Sequence, residues 1–179
     1  MAGAIELRPL RQDDDRGGFS CGQPDLDRFF QYYAGQNQFK LHLAVTWVAV
    51  AKAHILGFAT IIAASLDRKS LPSARLRRRL PGYPLPVSRL ARLGVNENAQ
   101  GLGVGRALLK HILGLALDQR DRLGCIGVVT DAKPDAIAFY ERYGFTPFEG
   151  VREGNLHGNP APMLLSIATI AAARTGQGG

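Results

Sequence analysis

Apolar runs of strand length alternate along this chain with segments whose apolar residues recur at helical spacing. The two longest strand-like runs flank Lys52-Ala53-His54, and this arrangement predicts a β-hairpin at the start of an antiparallel sheet. The run at 125–130 is almost entirely apolar, which is typical of a parallel strand buried on both faces. The predicted strands cover residues 6–10, 43–51, 55–65, 88–95, 125–130, 145–148 and 162–170.

Helical spacing and helix-end residues predict the helices between these strands. Pro24 and Pro134 are helix-start signals, and Gly124 and Gly144 are natural helix ends. An arginine- and proline-rich stretch between the second and third long strands predicts a surface excursion with one helical turn. The predicted helices cover residues 24–38, 73–80, 104–123 and 134–143, and a frayed tail is expected over 172–179.

The order of these elements predicts the fold class. The strand at 88–95, the helix that begins at Val104 and the strand at 125–130 form a strand–helix–strand unit, for which a right-handed crossover is expected. With 179 residues, of which 46% are hydrophobic, the chain is long enough to bury one core and too short for two ordinary domains. We therefore expect an α/β fold in a single domain over residues 1–179.

A glycine-rich loop at 100–105 runs directly into the helix that begins at Val104. Glycines at alternate positions let the main chain approach a ligand closely, and the free N–H groups of a helix start attract an anion. The spacing does not fit a Walker loop, and Leu108 stands where a dinucleotide-binding loop has its third glycine. The loop predicts a phosphate cradle, and glycines that serve only to turn the chain are the alternative.

The positive charge of the chain is concentrated in one stretch. Residues 68–92 carry eight Lys and Arg and no Asp or Glu, whereas the residues before and after this stretch are close to neutral. Such a block attracts polyanions and is the electrostatic signature of a nucleic-acid-binding surface, with a solvated arginine-rich loop as the alternative. Its candidate contact residues are Arg75, Arg77, Arg78, Arg79, Arg89 and Arg92.

Cysteine and histidine usage limits the other classes of site. Cys21 and Cys125 lie far apart and outside any Cys/His cluster, so neither a zinc site nor a disulfide framework is indicated, and no metal is expected. His42 and His54 flank predicted strands, where a surface role is more common than a catalytic one. No signal peptide or membrane-spanning run is recognised, so a cytoplasmic protein is expected.

Two sequence motifs resemble those of the GCN5-related N-acetyltransferases (GNATs). They are Q-x-x-G-x-G at 100–105 and F-Y-x-x-x-G-F at 139–145. The resemblance implies acetyl-CoA as co-substrate and a mixed, mostly antiparallel twisted sheet with a parallel pair at the acetyl-CoA cleft, flanked by about four helices. It assigns Tyr140 as general acid. It assigns acetyl-CoA binding to Leu93, Gly94, Val95, Gln100, Gly101, Leu102, Gly103, Val104, Gly105, Arg106 and Phe139. The chain departs from the family at Gly94, where a larger small residue is usual, and at Asn96, where an acid is common, so looser contacts to the pantetheine arm are expected.

A third motif narrows the resemblance. The phrase F-x-C-G-x-x-x-L-D-x-F at 19–29, with Ala34-Gly35-Gln36-Asn37, looks like the N-terminal signature of the GNAT toxins of bacterial toxin–antitoxin pairs. Those enzymes acetylate the α-amine of aminoacyl-tRNA. The resemblance therefore implies aminoacyl-tRNA as substrate, a ribbon-helix-helix antitoxin as partner, and a homodimer.

The proposed chemistry is consistent with the residues. Acetyl transfer from a thioester requires a donor for the developing oxyanion and a proton for the departing thiolate. A phenol with a pKa of about 10 stays protonated near neutrality and can protonate a thiolate whose conjugate acid has a pKa of about 8.5. Tyr140 suits this role, and simple packing against Phe139 and Phe145 is its alternative role. The main-chain N–H of Val95 is the expected oxyanion donor.

A general base is missing where many acetyltransferases have one. Between Asp67 and Glu97 the chain has no carboxylate. The α-amine of an aminoacyl ester is less basic than a lysine, whose pKa is about 10.4, so this substrate would arrive largely neutral. Three functions stay open: an aminoacyl-tRNA acetyltransferase, an acetyltransferase for a small-molecule or protein amine, and a non-catalytic CoA- or RNA-binding module. The preferred amino acid, and whether Arg89 or Arg92 faces the cleft, also stay open.

Overall fold

The computed structural model describes residues 3–148 and 160–176. Within them, seven strands form one sheet in the order β1-β2-β3-β4-β5-β7-β6. The pairs β1–β2, β2–β3, β5–β7 and β6–β7 are antiparallel, and β4 and β5 are parallel. The predicted α/β class, with its mixed sheet and parallel pair, is confirmed. The strands are β1 Glu6–Pro9, β2 Val45–Ala51, β3 His54–Leu66, β4 Leu85–Val95, β5 Gly127–Ala132, β6 Thr146–Pro147 and β7 Ala161–Ser166.

The helices of the described residues outnumber the roughly four that were expected. One reason is that the segment at 24–39 is two short α-helices joined by a π-helical turn at Phe29–Tyr33. The helix that follows the glycine loop is by far the longest, at 19 residues. The helices are α1 Pro24–Arg28, α2 Ala34–Phe39, α3 Ala74–Arg79, α4 Val104–Arg122, α5 Ile137–Arg142 and α6 Ile167–Thr175.

The predicted hairpin is present and its turn is tight. β2 and β3 are joined by Lys52 and Ala53 alone, and both residues have positive φ, at 50° and 64°. Two successive residues with positive φ are typical of the two-residue hairpin turn whose twist matches the right-handed twist of paired strands. His54 is therefore the first residue of β3, paired with Ala51, rather than part of the turn.

The prediction of a strand over 162–170 is wrong in its second half. β7 ends at Ser166, whose hydroxyl accepts a hydrogen bond from the main-chain N–H of Thr169 at 3.2 Å and so caps α6. A serine cap followed by an alanine-rich run favours a helix over a strand. The prediction of a frayed tail over 172–179 is also wrong at its start, because α6 continues to Thr175. Residues 177–179 of that predicted tail lie outside the described residues.

The chain divides into two compact units, each built from two separate stretches of sequence. The first unit comprises Met1–Ile62 and Leu90–Ile112, and the second comprises Ala63–Arg89 and Leu113–Gly179. Each is described below by itself. The single domain stays a prediction.

An aromatic cluster forms the core of the first unit. Phe30 and Phe58 are stacked with ring centroids 4.4 Å apart, and Phe19 packs on Phe30 at 4.8 Å. Gly94 in β4 lies directly against this cluster, because a Cβ placed there would be 2.9 Å from the Phe58 ring. The departure from the family at Gly94 is thereby explained: this core leaves no space for a larger residue.

The second unit has its own apolar core. Leu71, which follows β3, is almost fully buried there against residues of β4 and β5 such as Val87 and Val129. The partly buried Leu76 and Leu80 pack against the same cluster, which anchors the region of α3. This explains how an arginine-rich excursion is held in place although most of its side chains are exposed.

Candidate functional site

The glycine loop of the first unit has the geometry of an anion cradle. β4 ends at Val95 and α4 begins at Val104, as the sequence predicts. Between them, Gly101 and Gly103 have φ of +80° and +83°, a region that residues with side chains rarely adopt. The main-chain N–H groups of the first turn of α4 have no acceptor within the helix, and its dipole places partial positive charge at the same end. This arrangement can hold a phosphate.

The residues around this loop differ in their exposure to solvent. Arg106 lies in the first turn of α4 and is exposed, as is Leu102 in the loop. The residues at the end of β4 are more enclosed: Gly94 is buried, and Leu93 and Val95 are half-buried. The exposed guanidinium next to free N–H groups suits a second contact to an anion.

The side chain of Gln100 is held by main-chain groups of the first unit. The resemblance places it among the acetyl-CoA contacts, but its Nε2 donates hydrogen bonds to the main-chain oxygens of Cys21 at 3.0 Å and Val95 at 3.1 Å. Sequence reasoning missed the bond to Cys21 because the two residues are 79 positions apart in the chain.

Cys21 is a structural residue of the first unit. Its side chain is buried, and burial together with a hydrogen bond to Asp27 raises the pKa of the thiol to about 11. A thiol with this pKa is protonated at neutral pH and is a poor nucleophile. Cys21 is therefore not suited to carry the acetyl group.

Tyr140 lies in α5 of the second unit and is 5% exposed. Its ring makes edge contacts with Phe139 and Phe145, at centroid distances of 5.2 and 5.3 Å. Burial raises the pKa of the Tyr140 phenol to about 12, and a side-chain hydrogen bond with Thr130 opposes that rise. The phenol is therefore fully protonated at neutral pH, as a proton donor must be. Thr130, in β5, is a contact that the sequence did not indicate.

The arginines of the excursion in the second unit do not all have the same surroundings. Arg77 donates to the main-chain oxygen of Leu71 and is half-buried, so it helps to hold the excursion itself. Arg75, Arg78 and Arg79 are exposed on the short helix α3. Of the predicted contact residues in α3, these three are the ones whose side chains are accessible.

Arg89, also in the second unit, forms an ion pair. Its Nη1 lies 3.0 Å from Oδ2 of Asp131, and the two side chains are 12% and 22% exposed. Arg89 was predicted to bind tRNA, but a carboxylate neutralises it in this structure. Asp131 was missed, since nothing in the sequence pattern marks a charge partner that is 42 positions away.

Arg92, in the first unit, lies over the Phe29 ring, with its guanidinium carbon 4.6 Å from the ring centroid. The residue remains exposed overall, and partial burial lowers the pKa of its guanidinium. Its Nη1 also donates to the main-chain oxygen of Ala91 at 3.4 Å. A planar cation on an aromatic face is held in one orientation, and the contact with the ring itself uses none of its N–H groups. Arg92 is therefore an oriented, accessible cation at the C-terminal half of β4.

The described residues contain neither a metal-binding cluster nor a membrane-spanning helix. Among residues 3–148 and 160–176, His, Cys, Asp and Glu form no group that could hold a metal ion. No helix in those same ranges has the length and apolar character to cross a membrane.

Comparison with known proteins agrees with this geometry. The family model for an acetyltransferase (GNAT) domain matches residues 42–147. A tRNA-acetylating toxin of Mycobacterium tuberculosis is 31% identical over 146 residues, which is 81% of this chain and 86% of that toxin.

Two solved structures share the fold. The toxin AtaT in complex with acetyl-methionyl-tRNAfMet has a TM-score of 0.81 at 22% identity, covering 96% of this chain and 99% of that one. A mutant of AtaT bound to the C-terminus of the antitoxin AtaR and to acetyl-CoA has a TM-score of 0.72 at 20% identity, with the same coverage of 96% and 99%. The family model covers more than half of the sequence, and with the 31% identical relative it shows that this chain belongs to the GNAT acetyltransferase family.

Proposed function

We propose that this acetyltransferase transfers the acetyl group of acetyl-CoA to the α-amine of aminoacyl-tRNA, and that it thereby blocks translation as a toxin. The observation that carries the proposal is the relative that is 31% identical over 81% of this chain, a tRNA-acetylating toxin. The loop of the first unit and the exposed arginines add physical support.

The co-substrate is bound through main-chain groups. The loop from Gln100 to Arg106 and the start of α4 hold the pyrophosphate of acetyl-CoA, and Arg106 adds a charge-assisted contact. The main chain of Leu93, Gly94 and Val95 holds the pantetheine arm. Support comes from the positive φ of two loop glycines and from the exposure of Arg106.

The transfer itself needs two groups of the protein. The nitrogen lone pair of the amine attacks the thioester carbonyl carbon, and the main-chain N–H of Val95 stabilises the oxyanion that forms. As the C–N bond is completed the C–S bond breaks, and the CoA thiolate takes the proton of the Tyr140 hydroxyl. The amine loses its extra proton to solvent, and Tyr140 is reprotonated from solvent.

The substrate is recognised by its phosphates. Arg75, Arg78 and Arg79 contact the tRNA backbone, a role supported by their exposure. Arg92 is the best placed cation on β4, since Arg89 is neutralised by Asp131. Cationic small amines such as polyamines are disfavoured by this excess of positive charge.

The partner proteins are also proposals. A ribbon-helix-helix antitoxin neutralises the toxin, and the active form is a homodimer in the cytoplasm, where aminoacyl-tRNA is found. Support for the antitoxin comes from the AtaT structure, in which a toxin of the same fold is bound to the C-terminus of an antitoxin.

The decisive experiment offers the protein a choice of amines. Total charged tRNA, a peptide with a free N-terminus and a small amine are each incubated with radiolabelled acetyl-CoA, and the label in each acceptor is counted. We expect label in the aminoacyl-tRNA and none in tRNA whose ester bond was hydrolysed beforehand. Label in the peptide alone would replace this proposal by a protein N-acetyltransferase, and label in none of the acceptors would favour a binding module.

A further inference from the structure

Both N–H groups of the Gln100 side-chain amide are used within the first unit itself. Its Nε2 lies 3.0 Å from the oxygen of Cys21 and 3.1 Å from that of Val95. An amide nitrogen carries two N–H groups and an amide oxygen carries none, so only the nitrogen fits opposite two carbonyl oxygens. Both donors of Gln100 are therefore engaged, and neither is free for a phosphate oxygen.

The position of the Cys21 carbonyl group is also fixed by contacts of Cys21 itself and of the two residues before it. The main-chain N–H of Cys21 donates to Oδ1 of Asp27 at 2.8 Å. One position earlier, the oxygen of Ser20 accepts from the N–H of Glu97 at 2.9 Å. Phe19 is anchored in the aromatic cluster. The segment Phe19–Cys21 is thus fixed at three successive residues.

The same residues make up the signature at 19–29, which takes no part in the acetyl-transfer step itself, although the Phe29 ring also carries the Arg92 guanidinium. Phe19 and Phe29 belong to the buried cluster, and the half-buried Leu26 packs against it. Asp27 is the acceptor for Cys21. Each of these positions supports the segment that ends at the Cys21 carbonyl, and none of them offers a reactive group.

We propose that Gln100 is a positioning residue that holds the end of β4, and that the signature at 19–29 serves to hold the Cys21 carbonyl for it. The inference rests on the proposed function in one respect, that the Val95 N–H is the oxyanion donor. The Val95 carbonyl held by Gln100 and that N–H flank the same Cα, so fixing one restricts the other. Oxyanion donors act at short range, and a displacement of about 1 Å costs roughly 100-fold in rate.

The test separates catalysis from acetyl-CoA binding. Gln100→Leu removes both donors, Gln100→Met does so at nearly the same size and without adding a charge to the loop, and Asp27→Ala removes the acceptor for Cys21. We expect each to lower kcat roughly 10- to 100-fold while the acetyl-CoA Kd from calorimetry stays within about twofold. Asp27→Asn keeps an acceptor oxygen and should restore most of kcat. Arg106→Ala is the matched control that raises Kd.

A double variant tests whether the two residues act on the same carbonyl. Gln100→Leu combined with Asp27→Ala should be no slower than the slower single variant, because residues in one network are not additive. Additive losses would overturn the role given to the signature. A rise in Kd of tenfold or more for Gln100→Leu, with kcat unchanged at saturation, would overturn the role given to Gln100 and make it a phosphate contact.

The rate is measured both as acetylation of aminoacyl-tRNA and as hydrolysis of acetyl-CoA to acetate without any acceptor. Both reactions pass through an oxyanion on the same thioester carbonyl. If the unsubstituted protein labels no aminoacyl-tRNA, the proposed function fails, and the hydrolysis rates still decide the role of Gln100. Equal hydrolysis rates for the unsubstituted protein and folded Gln100→Met would refute it.

Discussion

The guanidinium of Arg92 rests on the face of the Phe29 ring, 4.6 Å from its centroid. This contact orients the cation without using its N–H groups. We expect Arg92→Ala to raise the KM for aminoacyl-tRNA roughly tenfold, the value of a charge-assisted contact of about 1.4 kcal/mol. Arg92→Lys should recover only part of this, because an ammonium lacks the planar face and the fork of donors.

Steady-state kinetics at saturating acetyl-CoA give these KM values. Arg11, exposed and distant in sequence, provides the matched control, and Arg11→Ala should leave KM unchanged. A KM for Arg92→Lys equal to that of the unsubstituted protein would show that charge alone is required.

The exposed arginines of α3 predict a salt-dependent affinity. Replacing Arg78 and Arg79 together by alanine should weaken tRNA binding and reduce the slope of log K against log salt by about one or two units, because fewer counterions are released. Binding of labelled tRNA across a salt series measures the slope. The half-buried Arg77, which donates to the main-chain oxygen of Leu71, serves as comparison. Arg77→Ala should lower the melting temperature and leave the slope of log K against log salt nearly unchanged.

Tyr140→Phe should lower kcat by roughly 10²–10⁴ and leave the acetyl-CoA Kd unchanged, because the ring stays and only the transferable proton is lost. Single-turnover kinetics and calorimetry measure the two quantities. Thr130→Val is the companion variant, since it removes the hydrogen bond to the phenol while keeping the shape of the side chain. If the Tyr140→Phe protein turns over at the original rate, the proton comes from another group.

The raised pKa of Tyr140 predicts the shape of the pH profile. The protonated phenol is the active form, and it is present below the pKa of Tyr140. Because burial raises this pKa to about 12, the acid form is lost only near pH 12. The rate should therefore rise with pH as the substrate amine loses its proton, at or below about pH 8, and then stay level up to pH 10. A fall in kcat between pH 8 and 10 would contradict an acid role for the buried phenol.

Gly103 has φ of +83°, and open space surrounds its missing Cβ. Gly103→Asp should abolish acetyl-CoA binding, because a carboxylate would repel the pyrophosphate. Asparagine has the same size, tolerates this backbone region better than most residues and carries no charge. Gly103→Asn should therefore bind with only a modest loss, and calorimetry on both folded variants separates charge from backbone strain. Equal affinities for the two variants would argue against a phosphate in this loop.

The sequence predicted well those features that depend on neighbouring residues. The hairpin, the glycine loop and the start of α4 at Val104 depend on local patterns, and the structure has all three. It predicted poorly the contacts between distant residues. The Arg89–Asp131 ion pair joins positions 42 apart, and no local sequence pattern links the two residues.

The C-terminal helix is an intermediate case. Residues 162–170 are apolar except for Ser166 and Thr169, and length alone does not separate a strand from a buried helix in such a run. The change from strand to helix at Ser166 depends on a single side-chain cap to Thr169, which is a weak signal beside the hydrophobic pattern.

The hydrogen bond from Gln100 to Cys21 joins residues 79 positions apart, so the end of β4 cannot receive this support until Gln100 has left the ribosome. Contacts of such separation form late, because the chain between them must lose its freedom first. The β2–β3 hairpin, by contrast, can form as soon as its residues leave the ribosome. The nascent chain therefore contains most of the first unit while the end of β4 still lacks its support. An enzyme that attacks translation is thus completed only after most of its own translation has taken place.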